Sequence, residues 1–267
     1  MTKTYQHIYL SPHYDDAALS CGGTIHQQTQ AGEPVLIVTI CAAPPLAGSP
    51  FSPFALEQHQ KWGDPSDAVA LRRGEDQAAM QILGADYAWL DFVDCIYRGQ
   101  SPNGPWFYNN DDELFGEIHP DDQGLVGEVA KALKNQIAVE ENSTIYAPLT
   151  VGYHVDHQLV HEATWELYPQ GQQVIFYEDY PYVDAVAYGN ANLSDTLTRL
   201  AYQHRSVKSS LHFFSKADLK TKIESVNAYT SQIETLFGSQ AEATQAIQNY
   251  ACQIGEGQPA ERFWIPE

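Results

Sequence analysis

The sequence predicts an α/β fold with a mostly parallel central sheet flanked by helices, and three observations carry that prediction. Four short apolar runs, Ile8-Tyr9-Leu10, Val35-Leu36-Ile37-Val38-Thr39-Ile40, Thr144-Ile145-Tyr146-Ala147-Pro148-Leu149 and Val174-Ile175-Phe176-Tyr177, have the length and side-chain type of strands covered on both faces. Segments of helix length separate the early runs. Ionisable groups gather directly after the runs end, which is where ligands bind in an open parallel sheet.

Taken in order, the first run leads through Ser11 and Pro12 to His13-Tyr14-Asp15-Asp16, after which Ala17, Ala18 and Leu19 begin a helix. Strand, helix and strand imply a right-handed crossover, so the first two strands lie side by side and parallel. Residues 43–65 are rich in Pro, Gly and aromatics and read as an irregular loop that walls the site. Ser66 and Asp67 offer caps for a helix to about Leu83, with Gly84 as its stop. Tyr87-Ala88-Trp89-Leu90 is a short strand with Asp91 and Asp94 beyond its end. From 97 to 120 the chain reads as irregular and aromatic, with Pro102, Asn103, Gly104 and Trp106, and with the acidic run Asp111-Asp112-Glu113, read as solvated. Helical periodicity covers 125–137. Beyond Tyr177 the chain reads as helical, with one long helix from Ser215-Lys216-Ala217-Asp218 through Phe237-Gly238 and a last helix over about 241–252. The whole of 1–267 reads as a single domain of Rossmann-like layering. No Gly-x-Gly-x-x-Gly follows a strand, so a dinucleotide has no support.

Fourteen Lys and Arg against 34 Asp and Glu give a formal charge of −20. A polyanion would be repelled over much of such a surface, so nucleic acid and anionic membranes are not expected partners, while a small-molecule substrate is. No secretory h-region and no apolar stretch of membrane-spanning length is visible, and the chain reads as cytoplasmic. Cys21, Cys41, Cys95 and Cys252 are too scattered for a zinc knuckle or a disulfide framework and read as core or near-site thiols. Composition leaves a homo-oligomer open.

His13 and Asp16 offer imidazole and carboxylate at a spacing that lets both turn toward one divalent ion. Asp15 adds a differently directed carboxylate, suited to take a proton from metal-bound water. By itself the motif reads as readily as a helix cap with a loop histidine. A second cluster shifts the balance: Gly152-Tyr153-His154-Val155-Asp156-His157-Gln158-Leu159-Val160-His161 places three histidines within eight residues after a strand. On a helix His154 and His157 pair at i,i+3 and His157 and His161 at i,i+4, and either pair could hold a metal. Phe51, Trp62, Trp106 and Tyr180 offer aromatic walls for a sugar ring or an aglycone.

His13-Tyr14-Asp15-Asp16 together with His154-Val155-Asp156-His157 resembles the PIG-L, or LmbE-like, family of zinc-dependent N-deacetylases. Arg72-x-x-Glu75-x-x-x-Ala79-x-x-x-Leu83-Gly84, Leu90-Asp91-Phe92-Val93-Asp94 and Lys222 through Ser231-Gln232 extend the resemblance over nearly the whole chain. It implies His13, Asp16 and His157 as zinc ligands, with Fe2+ or another divalent ion also fitting such a donor set. It further implies Asp15 as general base, His154 as oxyanion stabiliser and proton donor, and Asp156 as a group orienting that imidazole. Arg72 and Asp94 match positions near the sugar, and His161 matches no ligand position. The implied reaction removes an N-acyl group, acetyl above all, from an amino sugar or its conjugate. A non-sugar amide, or a silent binding protein on the same scaffold, is the alternative. The family's usual His-Pro-Asp-Asp-Glu differs here: Tyr14 stands for Pro, with a reshaped pocket floor expected, and Ala17 stands for Glu.

Overall fold

Two adjacent glycines in the middle of the first helix set how the molecule is put together. Gly22 and Gly23 each weaken a helix by about 1 kcal/mol relative to Ala, but a Cβ at Gly22 would lie 2.9 Å from the Lys222 side chain, and one at Gly23 would lie 2.5 Å from the Phe214 ring. The computed structural model, which describes residues 3–63, 65, 67–99, 105–136, 142–167, 173–184 and 193–267, therefore brings this helix, α1 (Asp16–Gln30), into close contact with α8 (Lys216–Val226). Expectations for Ser66, Pro102, Asn103, Gly104 and Ile137 lie outside the described residues.

The strands are β1 (His7–Ser11), β2 (Val35–Thr39), β3 (Asp86–Trp89), β4 (Thr144–Pro148), β5 (Gln173–Tyr177), β6 (Val207–Phe213) and β7 (Ala260–Pro266). They form one sheet in the order β3-β2-β1-β4-β5-β7-β6, with the first five parallel. His7 pairs with Val35 and with Thr144, so β1 is the central strand on which both halves of the parallel sheet register. Alternate side chains go to opposite faces, as the period of a strand requires. Tyr9, Ile37 and Tyr146 pack on one side under α1, α3 (Ala68–Leu83), α8 and α10 (Gln240–Ile254). Ile8, Leu10, Val38 and Ile145 pack on the other under α5 (Leu125–Gln136) and α6 (Val155–Leu167). Ile8, Tyr9, Ile37 and Val38 are fully buried, each contributing roughly 1.5–3 kcal/mol on folding.

The sequence-based expectation fails in three places. The Pro-rich stretch contains a helix, α2 (Pro53–Lys61), because Ser52 accepts the Ala55 amide and Pro53 opens the first turn, where its missing N–H costs nothing. The late chain is not all helix: β7 runs antiparallel to β5, and β6 antiparallel to β7. The long late helix is two, α8 and α9 (Thr230–Phe237), broken at residues 227–229. There the Tyr229 hydroxyl donates to the Tyr14 carbonyl and to Asp76, contacts a continuous helix would not bring together. Two further helices are α4 (Asp111–Leu114) and α7 (Leu193–Tyr202).

The last strand returns to the first helix. Glu261 of β7 accepts the Gly23 and Thr24 amides and pairs with Lys222 at 2.7 Å, both side chains being buried. Among the described residues no helix is long and apolar enough to cross a membrane.

Candidate metal centre and active site

The carboxyl ends of β1 and β4 lie next to each other, so the turns leaving them meet. After β1, the Ser11 hydroxyl donates to the His13 carbonyl and accepts the Ala17 amide, folding the turn onto the first residues of α1. Asp16 Oδ2 accepts the His13 amide at 2.7 Å. After β4 the chain turns through left-handed conformations at Thr150 (φ 74°), Gly152 (φ 90°) and Tyr153 (φ 64°) before α6 begins. A β-branched residue is costly at such a φ, and the surrounding contacts hold it. A Cβ at Gly152 would meet Tyr182 at 2.8 Å, so only glycine closes this turn.

The turns converge on Asp16. Its Oδ2 lies 3.3 Å from His13 Nδ1 and its Oδ1 lies 3.4 Å from His157 Nε2. In each imidazole the outer nitrogen is engaged by another carboxylate: His13 Nε2 meets Asp156 Oδ2 at 3.0 Å, and His157 Nδ1 meets Asp179 Oδ1 at 2.6 Å. His157 Nε2 is buried and makes no hydrogen bond. An orphaned buried imidazole nitrogen beside a carboxylate and a second imidazole, each ring oriented by an acid, is the arrangement of a histidine–carboxylate metal centre. One donor atom from each of His13, Asp16 and His157 lies within 4.8 Å of the others, so the three could hold a divalent ion.

The electrostatics follow from crowding charges away from water. Burial opposes the His13 imidazolium, yet Asp94, Asp156 and Asp16 outweigh it and raise its pKa well above the ordinary value. Burial likewise opposes charge on His157, but Asp16 and Asp179 push its pKa up to about 9. Asp16 is held well below the usual carboxylate range against burial by His157 and His13. Burial raises Asp15, with Arg72 opposing. His154 goes the other way, lowered by burial and then by the neighbouring His13 and His157. Its Nδ1 accepts the Asp156 amide at 3.1 Å, which places the proton of the neutral ring on Nε2.

Asp15 Oδ1 lies 3.0 Å from Arg72 Nη2, and Asp94 Oδ2 lies 3.9 Å from Arg72 Nη1 and 3.8 Å from His13 Nε2. Asp15, Asp16, His13, His154, Arg72 and Asp94 all line one cavity of about 330 Å³. The structure thus brings together every residue singled out in the two motifs, except that Asp156 sits behind His13. The contact of Asp156 to His154 runs through its backbone N–H, while its carboxylate serves His13, because the helical turn directs the side chain toward β1 and not back along α6. His161 faces away, with Nδ1 on the Pro148 carbonyl and Nε2 accepting from Trp165.

Of the expected aromatic walls only Trp62 lines the cavity, joined by Phe115 and Tyr182. Phe51 packs on His59 and Tyr97, and Tyr180 stacks on Phe237 and packs against Tyr250 in the core. Tyr14 does not form the pocket floor. It is buried, donates to the Ala42 carbonyl, and lies 5.3 Å from the Arg72 guanidinium, which Trp62 faces at 5.1 Å. Two cation–π contacts therefore hold the arginine that holds Asp15. Cys21, Cys41 and Cys95 are buried free thiols. Sequence reasoning missed Asp179, Arg98 and Asp122. Asp179 had one signal, an acidic residue directly after a strand, and the other two had none.

The family model for GlcNAc-PI de-N-acetylase, PIG-L, matches residues 8–168. The chain is similar to 2'-N-acetylparomamine deacetylase of Niallia circulans, 28% identical over 274 residues that cover 97% of this chain and 90% of the relative. Among solved structures it is similar to the deacetylase of the teicoplanin biosynthesis pathway, at 28% identity and TM-score 0.80 with 98% of each chain covered. It is also similar to the A40926 pseudoaglycone deacetylase Dbv21, at 26% identity and TM-score 0.77 with 99% of this chain and 98% of the other covered. With the two histidine–aspartate turns at the ends of β1 and β4 and a family match over more than half its length, the chain belongs to the PIG-L family of GlcNAc-PI de-N-acetylases.

Proposed function

We propose that this protein is a divalent-metal-dependent N-deacetylase that hydrolyses the acetamide of an N-acetylated amino-sugar glycoconjugate, giving acetate and a free amine. The observation that carries the reading is the convergence of His13 Nδ1, Asp16 and the orphaned His157 Nε2, each imidazole oriented by its own carboxylate, at the edge of a 330 Å³ cavity. His13, Asp16 and His157 would hold the cation, for which zinc suits the donor set. When bound there, the cation supplies the Lewis acidity that activates a water and polarises the acyl carbonyl.

Asp15 takes the proton of the attacking water. Arg72 fixes its geometry, and burial raises its basicity toward what a general base needs. His154 donates through Nε2–H to the oxyanion as the tetrahedral carbon forms, since its Nδ1 is already engaged. The proton gathered by Asp15 leaves with the departing amine, so water, amide, carboxylate and amine balance. Asp156 orients His13. Arg72 and Asp94 present charge to the sugar at the cavity wall, and Trp62, Phe115 and Tyr182 supply apolar faces. Relatives named for paromamine and glycopeptide substrates support an amino sugar carried on a larger aglycone. The same reading takes 1–267 as one catalytic domain, supported by β7 reaching back to α1.

The test is metal content of the purified protein with acetate release from a panel of N-acetylated aminoglycosides, glycopeptide pseudoaglycones and simple amino sugars. About one divalent ion per chain, with release lost in Asp15→Ala and His157→Ala, supports the reading. Bound metal without acetate from any sugar overturns the substrate class, and absence of bound metal overturns the centre.

A further inference from the structure

Arg98 and Asp122 do not line the cavity, and both are buried. Arg98 Nη1 lies 2.6 Å from Asp156 Oδ1, and Arg98 Nε lies 2.7 Å from Asp122 Oδ2. The guanidinium stands over the Tyr108 ring at 5.4 Å. The Tyr108 hydroxyl donates to Asp122 Oδ2 and accepts the His119 amide, which fixes the Asp122 carboxylate against the arginine. The second oxygen of Asp156 takes the Cys95 amide at 3.0 Å and meets His13 Nε2 at 3.0 Å. A guanidinium so far from water is expensive to bury unless its geometry is well matched. Here the guanidinium reaches two carboxylates from distant parts of the chain at ion-pair distance, although neither Arg98 Nε nor Asp156 Oδ1 makes an aligned hydrogen bond.

We propose that Arg98 is a positioning residue for His13: clamped by Asp122 and Tyr108, it fixes the Asp156 carboxylate, which holds the His13 ring with Nδ1 directed at Asp16. The proposal rests on His13 being a ligand of the cation. Arg98 touches neither the cavity nor the ligand set, so its removal acts on the cation and not on substrate contacts. Residues 95–99 and 105–122 thereby form a buttress behind the metal centre as well as a wall in front of it, through Phe115.

The test measures zinc affinity by competition with a chromophoric chelator, together with melting temperature, for wild type, Arg98→Met, Arg98→Lys, Asp122→Asn and Glu261→Gln. Arg98→Met is expected to weaken zinc about 10–100-fold, the usual cost of removing an outer-shell partner, with KM of the metal-saturated enzyme unchanged. Arg98→Lys recovers part of the loss, since an ammonium pairs with one carboxylate but does not bridge two. Asp122→Asn loses affinity in the same direction by less. Glu261→Gln breaks a different buried ion pair, with Lys222, and lowers the melting temperature while leaving zinc affinity alone, which separates positioning from folding. If Arg98→Met does not fold, Asp122→Asn decides. Zinc affinity within about twofold of wild type in the folded variant overturns the proposal, given the cost expected of an outer-shell partner, and leaves the deacetylase reading standing. A wild-type protein that binds no divalent ion overturns both.

Discussion

Asp179 Oδ1 lies 2.6 Å from His157 Nδ1, while its other oxygen takes the Val151 amide of the turn that delivers His154. One carboxylate at the end of β5 thus orients His157, the proposed ligand, and fixes the turn that carries His154, the proposed oxyanion donor. Asp179→Asn keeps the shape but removes the charge. It is expected to lower zinc affinity about 10–100-fold and to lower kcat as well, measured by chelator competition and steady-state kinetics on the metal-saturated variant.

His154 is expected to act on the transition state and not on the ground state. His154→Ala should cost about 10²–10³ in kcat with KM little changed and with bound metal retained. Kinetics paired with metal analysis check this, and a change confined to KM would assign the residue to substrate binding instead.

His161 makes an acid-sensitive joint in α6. Burial pushes its pKa down to about 4, against 6.5 for an exposed histidine, despite the Pro148 carbonyl. Below pH 6.5 the unfolded chain takes up a proton that the folded one refuses until about pH 4. Stability is therefore full above 6.5 and lost as pH falls between those values, by roughly 3 kcal/mol at about 1.4 kcal/mol per unit. Denaturant titrations at pH 7 and pH 4.5 should show this slope in wild type and a shallower one in His161→Gln.

Gly23→Ala tests the close packing of α1. Helix propensity alone would stabilise the variant by about 1 kcal/mol. The added Cβ meets the Phe214 ring at 2.5 Å, so the net sign reverses to a loss of about 1–3 kcal/mol. Gly74, on α3 with open space around its Cβ position, is the control: Gly74→Ala should stabilise or leave stability unchanged by urea unfolding.

The sequence disclosed four of the five parallel strands as short apolar runs and the edge strand β3 as a short Tyr- and Trp-bearing run, and it singled out His13, Asp16 and His157, which the structure brings together, because they sit near strand ends in compact motifs. It did not disclose β6, whose exposed Lys208, Ser209 and Ser210 break any apolar pattern at the edge of the sheet. The break between α8 and α9 carries no Gly or Pro; it exists because the Tyr229 hydroxyl reaches Tyr14 and Asp76. The partner of the Asp156 carboxylate was equally hidden. His13 lies 143 positions away, a proximity created only when β1 and β4 pair.

The family match ends at residue 168, yet the middle of α1 is not packed from within those residues alone. The middle of that helix hands its Gly23 and Thr24 amides to Glu261, and Lys222 closes the same knot. A fragment trimmed to the matched region would keep both motifs and still expose an unanchored helix, with its glycine pair facing solvent in place of Phe214. The motifs and the scaffold that carries them therefore do not share a boundary, and a minimal folded unit of this protein has to retain its final strand.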